Sequence, residues 1–123
     1  MSKKILIIED ESALQKSLSD FLQQKGCETS SALNGEDGLK LAKSYSPDLI
    51  LLDLILPKIN GFDVLKQLKA EKETKNIPVI VLTNLEGITD IDRATSLGAM
   101  TYLVKTEYKL EDVFNKIKQA LSE

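Results

Sequence analysis

The chain has 123 residues, enough for one hydrophobic core, and a formal net charge of −3 from sixteen basic and nineteen acidic side chains mixed along its length. That mixing leaves no basic stripe for nucleic acid. With no histidine and one cysteine, Cys27, a histidine-ligated zinc, a Ser-His-Asp triad, a phosphohistidine carrier and an intrachain disulfide are all excluded.

Short apolar runs alternate with amphipathic stretches. "KILIIE" (Lys4–Glu9) has the pattern of a strand buried on both faces. The following stretch predicts a helix capped by Ser12, with Gln15 completing a capping box. Leu14, Leu18, Phe21 and Leu22 form its apolar stripe, and Gly26 marks its end. Cys27–Ala32 is a weaker, more polar strand, expected nearer an edge. A second helix follows the Asn34-Gly35 turn, with Leu39 and Ala42 inward, and Pro47 breaks it.

Asp48–Asp53, "DLILLD", is the most apolar strand and is expected at the centre. After a loop, a helix from about Phe62 to Ala70 carries Phe62, Leu65 and Leu68 inward. Ile77–Thr83 predicts strand four, Asp90–Leu97 a helix ending at Gly98, and Met100–Val104 strand five. The last helix carries Leu110, Val113, Ile117 and Leu121 at helical spacing. Strand–helix repeated five times predicts a single α/β domain over residues 1–123. A flavodoxin-like (βα)5 three-layer sandwich is expected, with parallel strand order 2-1-3-4-5.

In such sheets ligands bind beyond the carboxyl ends of the strands. Strand one ends in Glu9-Asp10, strand three in Asp53, strand four in Thr83 and strand five in Lys105. Each alone has an ordinary structural reading as a turn former, helix acid or surface lysine. Together they put three carboxylates, a hydroxyl and an ammonium on one edge. Carboxylates packed closely ask for a cation, and an all-oxygen set suits Mg2+. There is no glycine-rich phosphate loop. The turn "EDES" after strand one would repel a nucleotide's phosphates.

These residues resemble the receiver domain of two-component response regulators, similar in layout to the chemotaxis-type receiver. The likeness runs through "IIED" (Ile7–Asp10), "LLDLILPKINGFDVL" with Asp53, Pro57 and Gly61, "VIVLT" ending at Thr83, and "GAMTYLVK" ending at Lys105. It implies that Asp53 is a phosphoacceptor served by a histidine kinase or phosphotransfer protein. It implies Mg2+ bound by Asp10, Asp53 and the backbone carbonyl of Ile55, with Glu9 acting through water. Lys105 would neutralise phosphoryl charge, Thr83 would bond the attached phosphoryl group, and Tyr102 would turn inward with Thr83 to switch a partner-binding face.

The sequence departs from the family pattern at Thr106, where proline in a cis bond is usual, and at Asn84, where a smaller residue is usual. Ile55 and Leu85 are apolar at positions that vary with phosphoryl lifetime. A trans Lys105–Thr106 peptide is expected, since cis before a residue other than proline costs ~3–4 kcal/mol.

The rivals are weaker. A haloacid-dehalogenase-type phosphohydrolase needs a second aspartate where Ile55 stands. A degenerate receiver acting only as a binding module would not need the whole acidic set. Against a receiver cut from a larger transcriptional regulator, the paired acids before tyrosine that are typical of the winged-helix regulator subfamily are missing here, where "GAMTY" stands instead. The expectation is therefore a stand-alone phosphorelay receiver that is no enzyme beyond its own phosphorylation and dephosphorylation. It should signal to a downstream protein without binding nucleic acid itself, as a monomer or a weak phosphorylation-dependent dimer. No apolar run approaches the ~20 residues of a membrane span, so a cytoplasmic protein without a membrane partner is expected.

Overall fold

The structure is a computed structural model that describes residues 3–57, 59–83, 88–105 and 109–121. Five strands and five helices alternate: β1 (Lys4–Ile8), α1 (Ser12–Gln24), β2 (Glu28–Ala32), α2 (Gly35–Ser44), β3 (Leu49–Asp53), α3 (Gly61–Ala70), β4 (Val79–Thr83), α4 (Ile88–Ser96), β5 (Thr101–Val104) and α5 (Leu110–Leu121). All neighbouring strands pair in parallel, in the order β2-β1-β3-β4-β5. The expected fold class and strand order are observed.

The period-2 alternation of the strands divides the core. Ile5, Ile7, Leu49, Leu51, Ile80, Leu82 and Leu103 face one way and are covered by Leu18 and Leu22 of α1 and Val113 and Ile117 of α5. Leu6, Ile8, Ile50, Leu52, Val79 and Val81 face the other way, under Ala42 of α2, Phe62, Val64, Leu65 and Leu68 of α3, and Ala94 of α4. The nearly unbroken apolar runs of β1, β3 and β4 are what strands covered by helices on both faces require, while the polar β2 lies at the sheet's edge.

Several boundaries differ from expectation for physical reasons. β4 starts at Val79, not Ile77, because Pro78 has no N–H to give to a ladder; its carbonyl still accepts from Ile50 N at 3.0 Å. α4 begins at Ile88 rather than Asp90, and β5 at Thr101 rather than Met100. Ser12 is not the cap of α1. Glu11 is the N-cap and makes no side-chain capping bond, so the expected capping box is absent. The Glu11 N–H is already donated to Glu9 Oε2 at 3.0 Å, which closes the turn one residue early. Gln15 instead sends Nε2 to the carbonyls of Glu9 (3.1 Å) and Ala32 (3.0 Å), stitching the ends of β1 and β2 together.

Helix stops follow local chemistry. Gly26 (φ +91°) and Gly98 (φ +110°) take the left-handed conformation that ends α1 and α4 cheaply. Asn34 and Asn60 cap α2 and α3, accepting from Asp37 N at 2.8 Å and Asp63 N at 3.0 Å. Gly61 has a steric reason to be glycine. A Cβ there would overlap the carbonyl oxygen of Asp53 and the Cα of Leu54. Its N–H donates to Leu54 O at 2.9 Å, so α3 starts directly against the end of β3.

Candidate phosphoryl and metal site

The site is built by strand register. β1 pairs with β3 as Ile7↔Leu51 and Ile8↔Leu52, which sets Glu9 beside Asp53 at the next step. Glu9 continues the Ile5–Ile7 row and Asp53 the Leu49–Leu51 row, so both carboxylates fall on the face covered by α1 and α5. Lys105 follows the last residue of β5 and reaches across β4 to meet them.

Glu9 and Asp53 are buried, while Asp10 is exposed. One oxygen from each of Glu9, Asp10 and Asp53 lies within 4.8 Å of the others. Asp53 has both oxygens engaged: Oδ1 accepts from the backbone N–H of Ile55 at 3.1 Å, and Oδ2 from Lys105 Nζ at 3.0 Å. Lys105 Nζ also lies 2.7 Å from Glu9 Oε1 and 3.0 Å from Glu11 Oε1.

Electrostatics follow from burial. Desolvation pushes the Glu9 carboxyl up to about 7, against the opposing pull of Lys105 and the Glu11 N–H and with added repulsion from Asp53. Burial likewise raises Asp53, offset in part by the Ile55 N–H and by Lys105. Burial alone would lower Lys105, but its ion pairs with Glu9, Glu11 and Asp53 outweigh that and hold it cationic.

Among the described residues, four carboxylates thus share one cluster with a single ammonium, and the surplus negative charge suits a divalent cation. Among the described residues Glu9 Oε1 is buried and has no partner in hydrogen-bond geometry. Its 2.7 Å approach to Lys105 is an ion pair outside hydrogen-bond geometry. A metal-bound water is the kind of donor that oxygen lacks. The oxygen-only donor set fits Mg2+ in chemistry as well.

Of the sequence-predicted residues, the structure brings Glu9, Asp10, Asp53, Ile55 and Lys105 to one place. Ile55 is 53% exposed and joins the cluster through its backbone N–H. Tyr102 is separate: it is 40% exposed on the outer edge of the sheet. The Thr83 backbone pairs with Val104, but its hydroxyl, together with Asn84, Leu85 and the Lys105–Thr106 peptide, lies outside the described residues. The residue that sequence reasoning missed is Glu11. No local signal marked it, because its partner lies 94 positions away.

Comparison with known proteins shows the family of the chain and its fold. The family described as the response regulator receiver domain matches residues 5–118. Protein PilH of Pseudomonas aeruginosa is 37% identical over 102 residues, covering 83% of this chain and 84% of that protein. The polar-differentiation response regulator DivK of Brucella anthropi is 37% identical over 105 residues, covering 85% of each. RpaA of Synechocystis, a DNA-binding dual master transcriptional regulator, is 37% identical over 118 residues, 96% of this chain and 48% of RpaA. The chain therefore spans about half the length of that relative and most of the other two. Among solved structures, a CheY-like receiver domain protein from Methanospirillum hungatei has a TM-score of 0.91 at 26% identity, covering 98% of this chain and 94% of that one. The signal receiver domain of a histidine kinase from Syntrophus aciditrophicus has a TM-score of 0.89 at 30% identity, covering 98% and 91%.

Proposed function

The chain belongs to the response regulator receiver domain family of two-component signalling, and from that premise we propose that Asp53 is its phosphoacceptor. A carboxylate oxygen of Asp53 attacks the phosphorus of a phosphohistidine on a histidine kinase or phosphotransfer protein. A P–O bond forms, the P–N bond breaks, and the imidazole leaves with the electron pair. One observation carries this reading. Asp53 ends an otherwise apolar buried strand, yet its carboxylate is aimed into a charged cluster with Lys105 Nζ 3.0 Å away.

Each neighbour has a role. Asp10, Asp53 and the backbone carbonyl of Ile55 would hold Mg2+ directly, and Glu9 through water. When bound, Mg2+ supplies positive charge to the phosphoryl oxygens. Lys105 supplies the fixed positive charge on the other side, already oriented and requiring little rearrangement. Thr83 bonds the phosphoryl group once attached, and Tyr102 follows Thr83 to change the outer face of β5. A downstream protein reads that face, and the coupling is bounded by its differential affinity for the two states.

The domain turns over only its own aspartyl phosphate, so it is a signalling module rather than an enzyme. Among the described residues no helix is long and apolar enough to cross a membrane; the domain's proposed place of action is the cytoplasm. It acts as a monomer or a weak phosphorylation-dependent dimer, with no nucleic-acid contact of its own. The likeness to RpaA favours a second reading of its context, in which the same receiver governs a DNA-binding domain.

The test is phosphorylation by a small acyl phosphate with Mg2+. Intact mass should rise by one phosphoryl group, and Asp53→Asn should abolish the gain. Labelling unchanged by that substitution would place the acceptor elsewhere.

A further inference from the structure

The ammonium of Lys105 has three N–H donors and three anionic neighbours: Glu9, Asp53 and Glu11. Its side chain is 7% exposed, so water does little to solvate it. A phosphoryl group arriving on Asp53 brings new anionic oxygens to the same ammonium. One present partner must then yield. Glu9 is fully buried and cannot retreat into solvent. Glu11 is 61% exposed and can swing into water at little cost.

Glu11 has also given up a local role to make this contact. At the N-cap of α1 an acidic side chain would ordinarily serve the free N–H groups of the first turn. Glu11 makes no such bond, and its carboxylate reaches instead to a residue 94 positions away.

We propose that Glu11 is a positioning residue that stands in for the phosphoryl group. In the unphosphorylated domain it holds Lys105 in place and screens it from solvent. It releases Lys105 when Asp53 is phosphorylated, and it competes for Lys105 in the phosphorylated state. Glu11 thereby weights the balance toward the unphosphorylated form. This rests on the reading of Asp53 as the acceptor.

The test compares wild type with Glu11→Gln, which removes the charge, and Glu11→Asp, which keeps the charge but shortens the reach. The first readout needs no phosphorylation. Hydrogen exchange of the Lys105 ammonium, followed by NMR in metal-free protein, should quicken in both variants. The second readout is the lifetime of the phosphorylated state, which should lengthen in both by about two- to fivefold, the weight of one exposed ion pair. High salt should lengthen it in wild type and do less in the variants. If Glu11→Asp matches wild type while Glu11→Gln does not, net charge alone is at work and the positioning role is overturned. Unchanged ammonium exchange in both variants overturns it as well. A wild-type domain that takes no phosphoryl group, with ammonium exchange altered as expected, would overturn the Asp53 reading while leaving the Glu11–Lys105 contact established.

Discussion

Lys105 Nζ stands 3.0 Å from Asp53 Oδ2, although β4 lies between their strands. Lys105 is carried one residue beyond β5, so its four-carbon stem clears β4 at the sheet's open edge. The ammonium is therefore already where charge would develop on a phosphoryl group. Removing it should be costly. Lys105→Met should leave Glu9 and Asp53 buried without a counter-charge and destabilise the metal-free domain by about 3–5 kcal/mol, less where Glu9 takes up a proton. Chemical denaturation with and without Mg2+ checks this. The loss should shrink when the metal is present.

Mg2+ binding should depend on Asp10 most cleanly, because Asp10 is exposed and makes no contact with Lys105. Asp10→Asn should weaken Mg2+ by at least roughly tenfold, since losses of ~10–100-fold follow even from changes to groups that only orient the ligands. NMR shifts on titration with Mg2+ should move the amides of Asp10, Asp53 and Ile55 in wild type. An unchanged titration in the variant would remove Asp10 from the ligand set.

The pH dependence of stability should carry the mark of Glu9. Its carboxyl is pushed from 4.5 up to about 7 by burial. The folded state therefore holds the proton more tightly than the unfolded chain. That contribution is fully present below about 4.5 and is lost as pH rises through about 7. A tenfold difference in proton affinity between the two states is worth about 1.4 kcal/mol, so the loss is at most a few kcal/mol. Glu9→Gln should flatten this part of the metal-free stability profile. A profile in which wild type gains stability from pH 5 to 7 relative to Glu9→Gln would contradict the assignment.

Gly61 should be the least replaceable glycine near the site. An added Cβ would overlap backbone atoms of Asp53 and Leu54, which cannot turn aside. At Gly38 an added Cβ would meet side-chain atoms of Ile8, from Cδ1 at 2.6 Å to Cγ2 at 3.0 Å, and no backbone atom so near. Gly61→Ala should cost about 1–3 kcal/mol or more and displace the Asp53 loop. Gly38→Ala should cost less and leave phosphorylation intact. Thermal melts of the pair, with phosphorylation assayed alongside, check the contrast.

The chain's one arginine, Arg93 on α4, lies with its guanidinium carbon 4.1 Å from the centre of the Phe62 ring on α3. Arg93→Ala should cost about 0.5–2 kcal/mol and quicken amide exchange along α4. Exchange in α4 no faster than in wild type would show that the stacking does not hold that helix.

The strands β1, β3 and β4 were legible because a nearly unbroken apolar run bounded by turn signals has few other readings, and five strands in alternation with amphipathic helices leave few topologies. Asp53 was legible as an anomaly: one charge at the end of "LILLD". The start of α1 was not, because Glu11 and Ser12 are both reasonable first residues and the choice is made by the Glu9 carboxylate closing the turn. The part played by Gln15 was hidden for the same reason, since its partners are carbonyls on two strands. The Glu11–Lys105 contact joins residues 94 apart, and no local pattern encodes it.

The most direct test asks whether Asp53 itself carries the phosphoryl group. After treatment with a small acyl phosphate and Mg2+, borohydride reduction converts an aspartyl phosphate to homoserine, which peptide mass spectrometry can locate. Homoserine is expected at position 53 and nowhere else, and none when Mg2+ is withheld. Homoserine at Asp10 or another aspartate, with position 53 unmodified, would contradict the assignment of Asp53 as the acceptor.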